Sequence, residues 1–408
     1  MRGWLALLIA AAVASALGNP LRAATLGDDL AFLRAHTEVV ELSEPGGSAR
    51  VVVSPALQGR VLTSAEQPSG LSLGWVNRDL IASGKRADHI NVYGGEDRLW
   101  LGPEGGQFGL YFAPGVPFDL EHWYVPKPFD VLPFKLEHRQ PDRVRLTTAF
   151  DLANYSGTHF SVRIERTVRV LPAAAAWKGL GIDPLAGVSM VAYESNNTLV
   201  NTGLQAWHKE SGLLSIWILG MFPPSEHTTI VVPLRPVTAS GHAPGVKSDY
   251  FGPIPPDRFA LQERAVFLSA DGRFRSKMGV AASRALGRVG SYDAEHHILT
   301  IVQSNQPADV TEYVNSAWQL QDNPYAGDPI NAYNDGPASP GARPLGPFYE
   351  LETSSPAASL APGARIEHTH RTLHLIGTDA ALDPVARQLL GVSLAEIQIA
   401  AHGGVTPR

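Results

Sequence analysis

The sequence predicts an all-β protein: one large antiparallel β-sandwich of stacked, curved sheets with few short helices. Three observations lead there. Charged residues make up only 18% of the chain while glycine (39) and proline (32) are abundant, a composition suited to many short strands joined by tight turns. Apolar and polar residues alternate over several runs. Helical periodicity is confined to two short stretches.

The elements follow in order. Residues 26–36 predict a short amphipathic helix. Strand patterns occur at 50–54 (RVVVS), 143–150 (RVRLTTAF) and 160–171 (FSVRIERTVRVL). In the last, Val162, Ile164, the aliphatic stem of Arg166, Val168 and Val170 share one face, and Arg163, Glu165, Thr167 and Arg169 the other. That alternation is a half-buried antiparallel strand. Further strands are expected at 213–221, 228–232, 263–268, 297–303, 348–352 and 365–376. Residues 383–390 (DPVARQLL) predict one helix with Asp383 at its N-cap and Pro384 at N1. Residues 323–346 are rich in turn formers and have little to bury. They predict a long ordered loop or a flexible lid. Strand patterns resume directly afterwards, so residues 25–408 are read as a single domain.

The first residues, MRGWLALLIAAAVASALG, place one arginine before an apolar run and then small residues. This predicts a secretory signal peptide over 1–24, removed in a periplasmic or extracellular product. The run is short for a bilayer, and no other stretch is long and apolar enough, so no membrane span is expected after cleavage. The absence of cysteine excludes disulfides, thiolate ligands and a cysteine nucleophile. A domain of this size does not need disulfides. The 33 basic and 39 acidic side chains are spread along the chain and form no basic arm, so nucleic acid is not an expected partner. No pattern specifies an oligomeric state.

Two polar clusters could carry chemistry. In the first, a glycine-rich turn with Glu96 and Arg98 enters a strand through Trp100, and Glu104 lies in a second tight turn. A following strand would put Phe108, Leu110 and Phe112 inside, with Gln107 and Tyr111 opposite and Gly109 leaving a gap for a ring-shaped ligand. The glycines also serve simple β-turns. The Trp123 step after His122, and Trp207 before His208, suit either a cleft edge or packing. Tyr325, Asp328, Asn331, Tyr333, Asn334 and Asp335 could close over hydroxyls, or merely build turns.

In the second cluster, a strand puts Glu350 and Glu352 on one face and Tyr349 and Leu351 on the other. Such acids can share a cleft or a solvated face. The next strand carries His368, His370 and His374 on one face and Arg371 on the opposite one. A neighbouring histidine–carboxylate pair suffices for proton transfer at a sugar. Carboxylates beside aromatic rings suit a carbohydrate ligand, because ring faces stack on pyranose faces and carboxylates accept from hydroxyls. No cofactor is expected. The spacing H-x-H-x-x-x-H has no unique meaning for a metal, and calcium at carboxylates and loop carbonyls is compatible with the composition.

These residues carry a resemblance. The chain resembles an uncharacterised family of exported bacterial proteins with the galactose-mutarotase-like supersandwich. The stretches that carry it are 94–112, Tyr313-Val314-Asn315-Ser316 with Trp318, 329–336, 346–356, 368–374 and Leu390-Gly391-Val392. In aldose 1-epimerases of that fold group a histidine protonates the ring oxygen and a late glutamate takes the anomeric proton. The resemblance implies Glu350 or Glu352 as base. His208, after the asparagine-rich 195–203, is the nearest match to the acid, although the histidine-tyrosine-phenylalanine-asparagine signature of that step is missing. The expected function is carbohydrate binding with epimerase-like acid/base chemistry. The alternatives are a glycan-binding protein without chemistry, and a polysaccharide lyase or glycoside hydrolase. The expected catalytic residues are Glu350, Glu352, His368, His370 and His208. The expected sugar contacts are Glu96, Arg98, Trp100, Glu104, Gln107, Trp123, Trp207, Asn331 and Arg371.

Overall fold

The computed structural model describes residues 24–236 and 245–400. The expected signal peptide, apart from Ala24, lies outside the described residues. Three antiparallel sheets make up the body. Ten strands form the largest, in the order Phe259–Leu261, Ala265–Ser269, Thr228–Pro233, Arg288–Asp293, Ile298–Ser304, Arg365–Ile376, Ser189–Asn201, His159–Val170, Arg143–Ala153 and Lys135–Arg139. Six strands form the second, in the order Val246–Lys247, Ser276–Val280, Ile330–Asn334, Tyr349–Ser354, Ser215–Phe222 and Arg98–Gly102. Val40–Ser43, Arg50–Ser54 and Arg60–Ala65 form a small third sheet. Among the described residues no helix is long and apolar enough to cross a membrane.

The core lies between the two large sheets. Met278, Val280, Ile330, Ala332 and Leu351 of the six-stranded sheet pack with Ile230, Val232, Val266, Leu268 and Val302 of the ten-stranded one. Leu99, Leu101, Ile216 and Ile218 pack with Val162, Ile164, Val168 and Val191. The ten-stranded sheet is also covered outside. Helices Ala173–Leu180, Asp379–Leu390 and Leu394–Ala400 bury Trp177, Leu382, Val385, Leu389 and Ile397 against Phe267, Tyr292, Ile301 and Leu375. The six-stranded sheet therefore has one face in the core and one face free to form a site.

The alternation in His159–Val170 is as expected, with one exception in kind. Arg166 does not bury only its stem. Its whole side chain is enclosed, paired with Asp97, bonded to Asn197 and donating through Nε to the Gly59 carbonyl at 2.9 Å. A buried guanidinium is tolerated because its donors find acceptors.

Four expectations are corrected. Residues 107–112 form turns and a single bridge rather than a strand, and Leu110, Tyr111 and Phe112 are all buried, so the expected division into an inner and an open face is not found. The expected loop 323–346 contains strand Ile330–Asn334, inside the six-stranded sheet. The helix expected at 383–390 begins at Asp379 behind Thr378, with Pro384 inside it. Asp383, expected at its N-cap, instead accepts from Arg387 at 2.6 Å and from the Leu394 amide at 2.9 Å. The helix Ala173–Leu180, unexpected from the sequence, starts behind Pro172 and ends at Gly181, whose φ of 69° suits a left-handed cap. The amino-terminal helix, Leu26–His36, has the expected bounds and a Thr25–Asp28 capping box.

Candidate functional site

Strand register decides which side chains share the free face. Trp100 pairs with Trp217, Leu219 with Glu352, Met221 with Glu350, Glu350 with Tyr333, and Tyr333 with Lys277. With a side-chain period of two, Arg98, Trp100, Trp217, Leu219, Met221, Glu350, Glu352, Tyr333 and Lys277 project to one side. Loops raise walls around this floor, bringing Glu104, Trp123, Phe251, Trp318 and Asp335. Together they enclose a cleft of about 200 Å³. A second chamber of about 280 Å³ continues past Glu104, Lys277 and Trp318 toward Lys247, Asp249, Tyr250 and Asn315.

The aromatic groups hold the polar ones. Trp100 and Trp217 meet edge to face at 5.6 Å, while Trp123 and Trp318 stack at 5.9 Å. Trp217 Nε1 donates to Glu352 Oε2 at 2.8 Å, and Trp123 Nε1 donates to Glu104 Oε1 at 2.9 Å. Arg98 pairs with Glu350 and lies over the Trp100 ring at 4.4 Å. Lys277 Nζ stands 3.3 Å from Glu352 Oε2 and 4.8 Å from the Trp217 ring centre. Tyr333 donates to Asp335 at 2.7 Å.

Burial dominates the electrostatics. It raises Glu104 above the ordinary carboxyl range, aided by Glu352 and opposed by Lys277. It pushes Glu350 up to about 7, with Arg98 opposing and Glu352 adding to the rise. Asp335 is likewise raised by burial, against its bond from Tyr333. Burial pulls Lys277 down, but Glu352, Glu104 and Glu350 together overcome that and leave it raised. At neutral pH the cleft thus combines the Lys277 ammonium with a Glu350 carboxyl able to hold or release a proton, while burial shifts Glu104 and Asp335 toward their protonated forms.

Arg98, Trp100, Glu104, Trp123 and Glu350 line this cleft together. Glu352 lies beneath it, fully buried, and holds Trp217 and Lys277 in place. Asn331, expected as a sugar contact, does not line this cleft: it borders a small adjoining pocket with Asp328 and Tyr250, and its Nδ2 donates to the Asp328 carbonyl at 3.2 Å.

The C-terminal histidines do not stand beside the glutamates. Their strand belongs to the ten-stranded sheet, whereas Tyr349–Ser354 belongs to the six-stranded one. His368 Nε2 and His370 Nδ1 both reach Thr353 Oγ1 at 2.8 Å, on the core side of that strand. Burial pulls His368 down to about 3, with His370 adding to the effect, and pulls His370 down to about 4. Both are neutral at physiological pH. His374 is bonded to Glu96 at 2.7 Å and Thr300 at 2.9 Å, which removes Glu96 from the cleft as well.

Other expected residues also lie elsewhere. Trp207 packs edge-on against Phe160 at 5.4 Å in the core. His208 is exposed in the following turn, where its carbonyl accepts from Gly212 at 2.9 Å. Gln107 exchanges hydrogen bonds with the Gln321 backbone at 2.8 and 3.0 Å. Arg371 binds Glu194 at 2.9 Å beside a separate surface hollow. Among the described residues no group of three or more histidines and carboxylates is arranged to hold a metal ion.

Sequence reasoning missed Lys277, Trp217, Trp318 and Arg275 as site residues. Lys277 lies in a strand too short and mixed to announce itself, and Trp217 is hidden in an apolar run. A larger cavity, about 380 Å³, adjoins His374 and Tyr349. Its Arg78–Asp29 and His296–Asp293 groups are already paired, and it lacks the stacked indoles.

Fold and site together define a β-sandwich protein with an indole-walled, carboxyl-bearing cleft on its six-stranded sheet. The chain belongs to DUF6786, a family of unknown function whose model matches residues 24–401. No curated protein matches the sequence. Among solved structures it is similar to a candidate aldose 1-epimerase of Escherichia coli K12, at 14% identity and a TM-score of 0.49, covering 84% of this chain and 99% of that one. It is similar to the Slr1438 protein of Synechocystis at 11% identity and a TM-score of 0.47, covering 84% and 96%. A galactose mutarotase-like protein of Lactobacillus casei matches at 11% identity and a TM-score of 0.45, covering 83% and 100%. Likeness at this level says nothing about chemistry, which rests on the cleft itself.

Proposed function

We propose that this chain binds a carbohydrate in the indole-walled cleft and transfers protons at its anomeric carbon, as an aldose 1-epimerase does. The observation that carries the reading is the placement of Glu104 and Glu350, both raised by burial, among Trp100, Trp123, Trp217 and Trp318. Indole faces cover pyranose faces, and the carboxyls supply an acceptor and a donor. Glu350, ionised, takes the proton of the anomeric hydroxyl. Glu104, which burial shifts toward its protonated form, gives a proton to the ring oxygen as the C1–O5 bond breaks. The carbonyl rotates, and reversal closes either anomer and restores both carboxyls. Lys277 balances the negative charge shared by the glutamates. This assignment differs from the sequence expectation, since the expected imidazole acids lie outside the cleft. Export to the periplasm or beyond is part of the proposal, and amino-terminal sequencing of the secreted product tests it.

One observation favours binding without chemistry: Arg98 already occupies Glu350, which weakens it as a base. One experiment separates the readings. Anomer interconversion is followed by polarimetry for wild type, Glu104→Gln and Glu350→Gln, with calorimetric titration of the same sugars. Rate acceleration lost in both variants supports proton transfer. Affinity without acceleration supports the binding reading, and absence of both removes the carbohydrate assignment.

A further inference from the structure

Arg275 and Arg343 are set apart from the other cations of the cleft. Arg98 is paired with Glu350, Lys277 with Glu352, and Lys247 with Asp328 at 3.2 Å. Arg275 forms no ion pair and no side-chain hydrogen bond among the described residues. Asp335, whose carboxyl feels Arg275, is already engaged by Tyr333 at 2.7 Å and the Gly346 amide at 2.9 Å. The Arg275 guanidinium is nevertheless held in place. Its central carbon lies 3.7 Å from the centre of the Phe251 ring, and Phe251 in turn meets Tyr333 and Trp318 edge-on. Arg343, also in the cleft lining, likewise lacks a carboxylate partner among the described residues.

A stacked guanidinium is pre-organised. Its donors are fixed in a planar fork, so little freedom is lost when an anion arrives. Neutral hydroxyls do not require a cation. A carboxylate or phosphate matches the fork with two parallel charge-assisted bonds. We infer that the carbohydrate bound here carries an oxyanion substituent, a carboxylate or a phosphate, received by the Arg275 guanidinium. The inference rests on the carbohydrate reading and narrows it to acidic sugars.

Calorimetric titration tests it with matched pairs: glucuronate against glucose, galacturonate against galactose, mannuronate against mannose, and glucose 6-phosphate against glucose. Wild type binds at least one acidic member about tenfold to a hundredfold more tightly than its neutral partner, the range expected for hydrogen bonds to a charged group. The phosphate arm tells the two oxyanions apart. Arg275→Gln abolishes that preference, so that acidic and neutral members bind alike. Arg275→Lys keeps the charge, loses the fork and retains only part of the preference. Equal binding of acidic and neutral members by wild type overturns the inference while the carbohydrate reading stands. A preference undiminished in a folded Arg275→Gln variant overturns it too. If that variant does not fold, wild type and Arg275→Lys decide. Absence of binding by every sugar overturns both the inference and the reading it rests on.

Discussion

Glu350→Gln offers a test of the cleft electrostatics that needs no ligand. Glu350 is buried, and burial lifts its carboxyl from 4.5 to about 7. The folded state therefore holds a proton that the unfolded state releases between those values. For an acid raised on folding, stability is fullest at low pH and falls as pH rises from about 4.5 to 7. At about 1.4 kcal/mol per pH unit, that interval corresponds to a loss of about 3 kcal/mol. Glutamine keeps the shape and an acceptor for Arg98 but cannot titrate. The stability difference between wild type and variant should therefore shift by about 3 kcal/mol against wild type as the pH rises from 4 to 8. Urea unfolding of both proteins across that range measures it, and the difference cancels every group the two share. A difference that stays constant with pH, or moves in the opposite direction, refutes the assignment of a raised carboxyl to Glu350.

Other expectations concern what lies on each side of the six-stranded sheet. Thr353→Val removes the hydroxyl that serves both His368 and His370, and should destabilise the fold by about 1–3 kcal/mol in denaturant titration. It should leave sugar affinity unchanged, because Thr353 points away from the cleft; altered affinity would return those histidines to the site. Asp97→Asn breaks the wholly buried pair with Arg166 and should cost about 3–5 kcal/mol in the same measurement, so a loss below about 1 kcal/mol contradicts the enclosed ion pair. Treatment with a chelator should leave calorimetric sugar binding intact, since the cleft contacts invoked are side-chain donors, acceptors and indole faces; loss of binding restored by calcium would place an ion in the site. Trp123→Phe removes the donor to Glu104 while keeping an aromatic face, and should weaken sugar binding by about 1–3 kcal/mol in the same titration, with unchanged affinity arguing that Glu104 needs no positioning.

Much of the fold was legible in the sequence because it is written in local patterns. Turn-rich composition and period-two alternation implied antiparallel sheets. The facing of Glu350 and Glu352 followed from strand geometry alone, and the helix Leu26–His36 from its amphipathic run. Short strands were less legible. Ile330–Asn334 buries Ile330 and Ala332 against the core and turns Asn331 and Tyr333 to the opposite face of the sheet, so its pattern is brief and polar.

What the sequence could not decide was which strands become neighbours. Tyr349–Ser354 and Arg365–Ile376 follow one another in the chain, and adjacency would have joined Glu350 to His368. The tertiary structure places them in different sheets, facing each other through Thr353. Conversely, Lys277 and Glu352 are remote in sequence and stand 3.3 Å apart because their strands flank Ile330–Asn334 in one sheet. The facing of a side chain is fixed within a few residues by the backbone period. The identity of its partners is fixed by long-range ladders, and by the burial that sets the charge each partner carries.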